Sequence, residues 1–416
     1  MKLFKNTTLR IAHLVIVALG IAATFSACKK TEDYYRVDDS RVKREEILYT
    51  QIPAPGSGEN YSTLVILNYN KDTVKTKRVE ATFLGNFQRW YINGQYRYTY
   101  FVKDPAMYLI PNVGYHAGYF VIADSALNEL KRVYLQPHGS ITGDNNQRGL
   151  DLHDFILLAD DHYIALSYYE KPVTNIPASL NPANGIKVVA AIIQEVKGND
   201  VVWQWDATTW PELYGNSVEG NNYADTTRVA DYLHANSMFV DPNGGNLIVS
   251  CRNTDQVIKV SRKNGNIMWR LGGKNSDFHL PDNRKFLRQH HATLVDDNKT
   301  LLLFDNGDIA LRPATRILEF QLNEVSKDVT GFRSFSVPGA FAQFMGSVQK
   351  IGGKYFIGGG TGNYIHEVDF TTNEKTAYGF PEVKLGVFPG WGGTAPTPRM
   401  VGLFNAIGLV TGGESI

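Results

Sequence analysis

The chain has 416 residues and a formal net charge of +1, with 42 Lys and Arg against 41 Asp and Glu. This near-neutral balance gives no electrostatic reason to expect a nucleic acid or a strongly acidic partner. The 22 tyrosines, 21 phenylalanines and 38 glycines favour strands and turns over helices. The length alone is compatible with about one to three domains.

The N-terminal segment has the pattern of a secretion signal. A basic stretch precedes apolar residues 11–27, which end in small residues directly before Cys28. A cysteine at that point resembles the bacterial lipobox. We therefore expect a signal peptide over residues 1–27 and a mature chain lipidated at Cys28. The lipid would hold it at the cell envelope of a Gram-negative bacterium, in the periplasm or at the outer membrane. An ordinary signal peptide or a single membrane anchor stays open, although the segment is short for a span.

The region after the signal changes character near residue 61. Residues 28–60 are polar and contain Pro-Ala-Pro-Gly-Ser-Gly at 53–58, which favours a tether followed by a first strand. From residue 61 onward, apolar runs alternate with turns, and STLVILNY, VEATFLG and YRYTYFV are predicted strands. The aromatic run 87–101 is interpreted as cross-strand packing, with a platform for a sugar or an aryl group as the alternative.

The clearest repeating unit lies between residues 231 and 273. Turn sequences rich in Asn and Gly separate four predicted strands, at 236–240, 246–251, 256–261 and 267–271. A four-stranded meander of about 40 residues is typical of one β-propeller blade. Similar units begin at His153, His290 and Ser347.

The repeats predict an all-β chain in which residues 61–416 form one propeller domain. We expect six blades, each a four-stranded antiparallel sheet, with the active site at the central channel; the spacing alone leaves seven blades open. The first strand of each blade lines the channel, so His153, His234 and His290 are predicted to meet there. A lone histidine is more often structural, and the repeated position is what favours a function.

The hairpins predict which side chains converge. His234 and Asn236 share one face of an extended strand, and a turn near residue 243 places Arg252 opposite His234, about 5 Å away at Cβ. A histidine, an amide and a guanidinium on one face predict an anion site. In the next unit, the turn at 296–299 places Asp305 opposite His290. A carboxylate there would orient the imidazole, although a turn role for Asp305 is equally open.

The same residues belong to motifs that occur in a fixed order. They are H-D at 153, H-A-N-S at 234, S-x-R at 250–252, W-x-L-G-G at 269–273, Q-H-x-A at 289–292 and F-D-N-G at 304–307. In this order the chain resembles the bacterial arylsulfate sulfotransferases over about residues 152–369. The resemblance implies a propeller that moves a sulfuryl group from an aryl sulfate to a phenol. It implies a ping-pong reaction through a sulfohistidine, without a nucleotide sulfate donor.

The resemblance also implies roles for particular residues. It matches the nucleophile to His290, and the sulfate-binding residues to His234, Asn236 and Arg252. His153 matches the upstream histidine, for which we expect an acid–base role toward the phenol oxygen. The Q-H-H-A sequence has a second histidine, His291. Alternation sends neighbouring side chains to opposite faces, so only one of the two can face the channel, and the choice stays open.

Two other functions stay open. A channel ringed by histidines could hold a metal, as in a metallohydrolase or sulfatase. Asp154 and Asp305 are the only carboxylates expected nearby, and Arg252 would repel a cation, so no metal or other cofactor is expected. The second alternative is a non-catalytic surface propeller that binds carbohydrate or protein. Cys251 is interpreted as a core residue rather than a nucleophile, and residues 271–274 lack the spacing of a phosphate loop. The expected partners are small aryl sulfates and phenols, and the oligomeric state is left open.

Overall fold

The computed structural model describes residues 46–53, 57–68, 72–107, 110, 114–139, 141, 149–337, 341–359, 365–372 and 374–377. Six antiparallel sheets follow one another along this part of the chain, and we number them as blades 1 to 6. Blade 1 contains β1 (Glu46–Gln51), β2 (Ser62–Asn68) and β3 (Thr73–Val79). Blade 2 contains β4 (Leu84–Ile92), β5 (Gln95–Lys103), β6 (Gly118–Ala123) and β7 (Glu129–Val133). Blade 3 contains β8 (Phe155–Ala159), β9 (His162–Pro172), β10 (Lys187–Lys197) and β11 (Asp200–Asp206). Blade 4 contains β12 (Ala235–Val240), β13 (Leu247–Cys251), β14 (Gln256–Val260) and β15 (Ile267–Gly272). Blade 5 contains β16 (His290–Val295), β17 (Thr300–Asp305), β18 (Arg316–Asn323) and β19 (Asp328–Ser336). Blade 6 contains β20 (Ser347–Ile351), β21 (Lys354–Gly358), β22 (Ile365–Asp369) and β23 (Glu374–Ala377).

The predicted fold, an all-β propeller of six four-stranded antiparallel blades, is confirmed. Blades 2 to 6 each have four strands in sequential order, and blade 1 has three within the described residues. Among those residues, helix is confined to short segments such as α1 (Glu212–Asn216) in the connection between blades 3 and 4. The predicted strand VEATFLG is wrong, because Glu80–Phe83 form the connection between β3 and β4.

Blade 4 forms where its turn chemistry predicts. The carboxylate of Asp241 accepts a hydrogen bond from the Asn243 amide at 2.8 Å, and the Gly245 amide donates to the Asp241 carbonyl at 2.8 Å. Gly245 has φ +72°, in the left-handed region that a glycine adopts without steric cost. The turn therefore fixes β12 against β13, and every strand of this blade begins and ends within one residue of its prediction.

The apolar core lies between consecutive blades. One cluster combines Ile164 of blade 3 with Val249 of blade 4, and another combines Ile248 of blade 4 with Leu303 of blade 5. Blades 2 to 5 thus each bury one face against the preceding blade and the other against the next, which explains strands that are apolar on both faces. The predicted cross-strand packing in the 87–101 hairpin is also present, since the Phe87 and Tyr98 ring centroids lie 5.7 Å apart.

Hydrogen bonds join the first strands of blades 3, 4 and 5 side by side. The Met238 amide in β12 donates to the carboxylate of Asp154 at 2.8 Å, and the Ala292 amide in β16 donates to the Ser237 hydroxyl at 3.0 Å. These bonds bring the beginnings of the three strands close together, which positions the histidines described below.

The signal peptide, the lipidated Cys28 and most of the tether lie outside the described residues. Within the part of the chain that the structure does describe, no helix is both long and apolar enough to cross a membrane.

Candidate functional site

Three histidines stand where the first strands of blades 3, 4 and 5 begin. His153 lies two residues before β8, His234 directly precedes β12, and His290 opens β16. The His153 and His234 rings meet edge to face, with centroids 5.2 Å apart and an interplanar angle of 85°. Both histidines also lower the pKa of His290 electrostatically, so all three lie within electrostatic reach of one another.

The hairpin of blade 4 brings Arg252 next to His234, as predicted. The Arg252 amide donates to the His234 carbonyl at 2.9 Å. His234 has φ +51°, and the register shifts between Ala235 and Ser237, so a bulge lies at Asn236. Bulges of this kind redirect side chains and are frequent next to active sites.

Two of the five N–H donors of the Arg252 guanidinium bind other groups of the protein. Its Nη1 donates to the Glu219 carboxylate at 2.8 Å and to the Asn253 side-chain oxygen at 2.7 Å, which accounts for both hydrogens of that nitrogen. Within the described part of the chain no hydrogen bond uses its Nη2 or Nε. Their three hydrogens form a planar fork that can donate to two oxygens of one anion. The side chain is 13% exposed, so the fork lies in a largely desolvated place.

His290 is held through its Nδ1, and its Nε2 makes no hydrogen bond with any residue that the structure describes. Its Nδ1 lies 2.8 Å from the side-chain oxygen of Asn306 and 3.1 Å from the Arg288 carbonyl. The Asn306 Nδ2 donates to the carbonyls of Ala342 at 2.8 Å and Met345 at 2.5 Å, which fixes its oxygen toward His290. Both partners of Nδ1 are acceptors, so Nδ1 carries the proton and Nε2 keeps its lone pair. Burial, followed by the charge of Arg252, holds the pKa of His290 well below its usual value, so the ring is neutral at pH 7.

The prediction that Asp305 orients His290 is wrong. His290 pairs with Phe304, because a bulge between His290 and Thr293 shifts the register of β16 on β17 by one residue. The buried Asp305 carboxylate instead forms ion pairs with Arg312 at 2.6 Å and Arg316 at 2.8 Å. The orienting side chain is that of the next residue, Asn306.

His153 forms an ion pair with Asp151 that was not among the sequence-based predictions. Its Nδ1 makes a short hydrogen bond with the carboxylate of Asp151, which also accepts from the His153 amide at 2.9 Å and the His116 amide at 2.9 Å. Burial alone would lower the pKa of His153, but the Asp151 charge and hydrogen bond more than offset it, so the pKa is raised. The same pairing lowers the pKa of Asp151 despite its burial. This histidine is the one of the three best able to carry a proton near neutral pH.

His234 has its own carboxylate and a tyrosine. Its Nδ1 lies 3.2 Å from the Asp231 carboxylate and 2.8 Å from the Tyr115 hydroxyl. Burial, aided by the charges of His153 and Arg252, outweighs Asp231 and lowers the pKa of His234. The carboxylate beside Nδ1 requires a proton there, so Nε2 holds the lone pair in the neutral ring. Tyr168 packs on Tyr115 with ring centroids 4.6 Å apart, and burial raises the pKa of both hydroxyls well above 10, which keeps them uncharged.

Asn236 is hydrogen-bonded to the residue that precedes His290. Its Nδ2 donates to the carbonyl of Gln289 at 2.9 Å, directly before His290, while its Oδ1 is buried without a hydrogen-bond partner. Gln289 in turn donates to the Gln256 carbonyl at 2.8 Å. Asn236 therefore supports the backbone of His290, and within the described residues the second hydrogen of its amide has no acceptor.

The remaining motif residues serve the fold around the site. Cys251 is fully buried and burial raises the pKa of its thiol, which supports the interpretation as a core residue. Gly272 has φ +86°, and a Cβ there would lie 2.6 Å from the Asp255 carbonyl, so the W-x-L-G-G motif lets β15 approach the turn that carries Arg252. His291 has φ +51° in the bulge and is 8% exposed.

Sequence reasoning missed the partners of the three histidines. Asp151 and Asp231 precede their histidines by two and three residues, so the D-x-H and D-x-x-H spacings were available signals. Tyr115 and Glu219 come from distant loops and left no signal in the chain. Within the described residues, no group of three His, Cys, Asp or Glu side chains could hold a metal ion.

Comparisons with known proteins place these residues in a family. The family matched is described as arylsulfotransferase (ASST), and it matches residues 106–378 of this chain. Curated relatives match only briefly: the fatty acid oxidation complex subunit alpha of Pseudomonas paraeruginosa is 36% identical over 92 residues, 22% of this chain and 12% of that protein. The same subunit of Psychrobacter sp. is 45% identical over 42 residues, 10% of this chain and 6% of its own length.

Solved structures resemble the chain only distantly. A chain of the nidogen/laminin complex has a TM-score of 0.40 at 11% identity, covering 80% of this chain and 92% of that one. Virginiamycin B lyase from Staphylococcus aureus with quinupristin has a TM-score of 0.36 at 9% identity, with coverages of 81% and 85%. Neither likeness bears on function, whereas the family match covers well over half of the sequence. The chain belongs to the arylsulfotransferase (ASST) family.

Proposed function

We propose that the protein is an arylsulfate sulfotransferase that transfers a sulfuryl group from an aryl sulfate to a phenol through a sulfohistidine at His290. The observation that carries the proposal is the pairing of two open groups. The neutral His290 ring keeps a lone pair on Nε2. Arg252, whose charge acts on that ring, keeps a two-nitrogen fork with no hydrogen-bond partner among the described residues. A nucleophile beside an anion-binding fork is what sulfuryl transfer requires.

Donor binding would use Arg252 first. The fork of Nη2 and Nε holds two sulfuryl oxygens, and the low exposure of the site strengthens these charge-assisted bonds. Neutral His234 presents a lone pair at Nε2, so it becomes a donor only when it takes up a proton. An arriving sulfate favours that form, because a nearby negative charge raises the pKa of an imidazole. The second amide hydrogen of Asn236 is a further donor toward the anion.

The first transfer would form an N–S bond and break an S–O bond. The Nε2 lone pair of His290 attacks sulfur, and the bond to the aryl oxygen breaks with both electrons leaving on that oxygen. His153, protonated and held by Asp151, gives its proton to the departing phenolate. The Nδ1 proton stays on His290, where the Asn306 and Arg288 oxygens stabilise the positive charge of the modified ring.

The second transfer would reverse these roles. Neutral His153 takes the proton of the acceptor phenol as its oxygen attacks sulfur. The N–S bond breaks and its electron pair returns to Nε2 of His290. The site then holds a neutral nucleophile and a protonated His153, as at the start. Each proton and electron pair is accounted for without a further reactant, so no cofactor is proposed.

The test follows nitrophenolate release from 4-nitrophenyl sulfate by the mature chain, with and without phenol, and without added metal or nucleotide. We expect phenol-dependent release, with a rapid burst equal to the enzyme concentration, because a covalent intermediate forms before the acceptor is needed. His290→Ala should abolish the burst, and mass spectrometry of the quenched wild type should find one added sulfuryl group on His290.

The control variant is His291→Ala, which alters the neighbouring histidine and should keep the burst. A burst that survives in His290→Ala and is lost in His291→Ala would move the nucleophile by one residue. Phenol-independent release would mean a sulfatase. Activity restored by an added divalent metal would favour a metallohydrolase, and a complete lack of release from aryl sulfates would favour a binding propeller.

We also propose that Cys28 carries a lipid that anchors the enzyme at the cell envelope. The proposal is supported by the basic, apolar and small-residue pattern of residues 1–28. In a bacterial host, the full chain should incorporate labelled palmitate and partition into the membrane fraction, and Cys28→Ala should prevent both. Unchanged partitioning of Cys28→Ala would favour an uncleaved anchor.

A further inference from the structure

Glu219 lies in the 28-residue connection between blades 3 and 4, which we call the 207–234 loop. One oxygen of its carboxylate, Oε1, accepts from Nη1 of Arg252 at 2.8 Å and from Nη1 of Arg288 at 2.6 Å. Two guanidinium groups that share one oxygen atom are near neighbours and would repel each other without it. The side chain of Glu219 is 31% exposed, against 13% for Arg252 and 14% for Arg288.

Arg288 is held by hydrogen bonds of both its backbone and its side chain. Its amide donates to the Asp255 carboxylate at 2.6 Å, and its carbonyl accepts from Nδ1 of His290 at 3.1 Å. Its side chain also reaches Asp308 at 3.3 Å. Arg288 has φ +55°, a left-handed conformation that these contacts maintain. The same residue therefore supports the nucleophile through its backbone and Glu219 through its side chain.

The loop itself is attached to the turn that carries Arg252. The Val218 amide donates to the Asn253 carbonyl at 2.8 Å, and Asn253 donates from its side chain to the Asp231 carbonyl at 3.0 Å. Glu219 is thus held in place, so that it can hold Arg252 in turn.

From these contacts we propose that Glu219 is a positioning residue that sets Arg252 relative to His290. It occupies one hydrogen of Nη1, as Asn253 occupies the other, and this leaves the Nη2 and Nε fork as the only edge that can bind an anion. The chain of contacts runs from Arg252 through Glu219 to Arg288, and through the Arg288 carbonyl to His290. Contacts with Arg288 therefore fix the position of the Arg252 guanidinium relative to the His290 ring. The inference rests on the proposed function for its kinetic consequence.

The test compares Glu219→Ala with Glu219→Gln in the burst phase with 4-nitrophenyl sulfate. Glu219→Ala lets the two guanidinium groups separate, and we expect the burst rate constant to fall about 10- to 50-fold, as for other small misplacements of catalytic groups. Glu219→Gln keeps an acceptor oxygen for both arginines, and we expect a rate constant within about threefold of wild type. A merely structural role would lower the burst amplitude and leave its rate constant unchanged.

A double-mutant cycle identifies the residue through which Glu219 acts. In an Arg252→Ala background, Glu219→Ala should change the burst rate constant by less than about twofold, because the group it positions is gone. Full additivity would overturn the proposal. The matched control is Glu212→Ala, which removes a similar ion pair from the same loop, at 2.6 Å to Arg270. An equal loss in Glu212→Ala would show a general effect of the loop and would also overturn it.

Sulfate binding separates failure of this inference from failure of the proposed function. Calorimetry with inorganic sulfate requires no turnover. We expect the Kd to rise about fivefold in Glu219→Ala and to stay equal or fall in Glu219→Gln, where the acceptor remains and a competing negative charge is lost. Such a pattern in a protein that releases no nitrophenolate would overturn the enzyme proposal and support the inference. Sulfate affinity independent of residue 219, or no sulfate binding by wild type, would overturn the inference.

Discussion

The two ends of the first strands in blades 3, 4 and 5 carry different chemistry. At one end stand His153, His234 and His290, and at the other stand Asp160, Asp241 and Asp296, each directly after its strand. Each of these three acids has a basic partner. Asp160 pairs with Arg97 at 2.6 Å, Asp241 with Lys259 at 2.5 Å and Asp296 with Lys350 at 2.7 Å.

The two ends differ in whether their charged and polar side chains are fully paired with other groups of the protein. At the acidic end the pairs connect neighbouring blades, since Lys259 also reaches Glu324 of blade 5 at 2.7 Å and Lys350 reaches Glu319 of blade 5 at 2.9 Å. At the histidine end, Arg252 and His290 retain groups that have no hydrogen-bond partner in the part of the chain that the structure describes. The ion pairs of the acidic end join neighbouring blades, whereas the N–H donors and the lone pair at the histidine end can bind a ligand. Mutations at the first end should therefore change stability, and mutations at the second end should change chemistry.

The largest expected effect is at the histidine end. Arg252→Ala should lower kcat/KM for an aryl sulfate by about a thousandfold and Arg252→Lys by about a hundredfold, because an ammonium group cannot replace the fork. The melting temperature should change little in either variant. Steady-state kinetics and calorimetric melting measure the two quantities. Equal activity of Arg252→Lys and wild type would contradict the two-nitrogen contact.

The next effect belongs to the acidic end. Lys259→Met should lower the free energy of unfolding by about 3 kcal/mol, because it leaves the buried carboxylate of Asp241 without its cation. Denaturant unfolding measures the loss, and kcat per folded molecule should stay near wild type. Combining it with Asp241→Asn should recover part of the stability. A large fall in kcat with unchanged stability would mean that the two ends are not separate in function.

A pH profile sharpens the comparison for the pair of His153 and Asp151 at the histidine end. The raised pKa of His153 means that its proton, and the stability of the pair, are present below its ordinary pKa near 6.5 and are lost as pH rises through the folded value. Asp151 has a lowered pKa, so its contribution is present above about pH 4 and is lost as pH falls further.

Asp151→Asn should therefore move the alkaline fall of the burst rate constant to lower pH. At pH 8 we expect a burst rate constant about tenfold below that of wild type, because less of His153 carries a proton at that pH. The acid limb of unfolding should flatten at the same time. An unchanged alkaline limb would assign the proton donor to another residue.

The smallest effect is expected at the exposed ion pair of the acidic end. Asp160 is 51% exposed, so Arg97→Ala should cost at most about 1 kcal/mol of unfolding free energy. The loss should shrink at high salt, because exposed charges are screened. A loss as large as that of Lys259→Met would contradict the view that burial separates the two pairs.

The features that depend on residues close together in the chain could be predicted from the sequence. The Asn and Gly turns of blade 4 placed its strands within one residue, and the repeated position of three histidines placed them together. The two bulges were not predictable, because each depends on contacts with a neighbouring blade. In blade 4 the bulge moves Arg252 opposite His234 and preserves the predicted pair. In blade 5 the same kind of shift removes Asp305 from His290 and leaves Asn306 as its partner.

The loops set the second limit on prediction. Glu219 and Tyr115 reach the site from connections whose path depends on the packing of whole blades, so no spacing in the chain announces them. Asp151 differs, since it lies two residues from His153, and a search for carboxylates beside each histidine would have found it.

The left-handed backbone at His234 and His291 has a consequence for engineering. A non-glycine residue in that conformation costs about 1 kcal/mol or more, so both residues lower the stability of the blades that carry them. Selection for heat resistance should therefore favour glycine or asparagine at these positions, and glycine or asparagine at 234 would remove the imidazole beside Arg252. Thermostability and turnover should trade against each other at this position, and improvement of both should come from the surface of the outer strands.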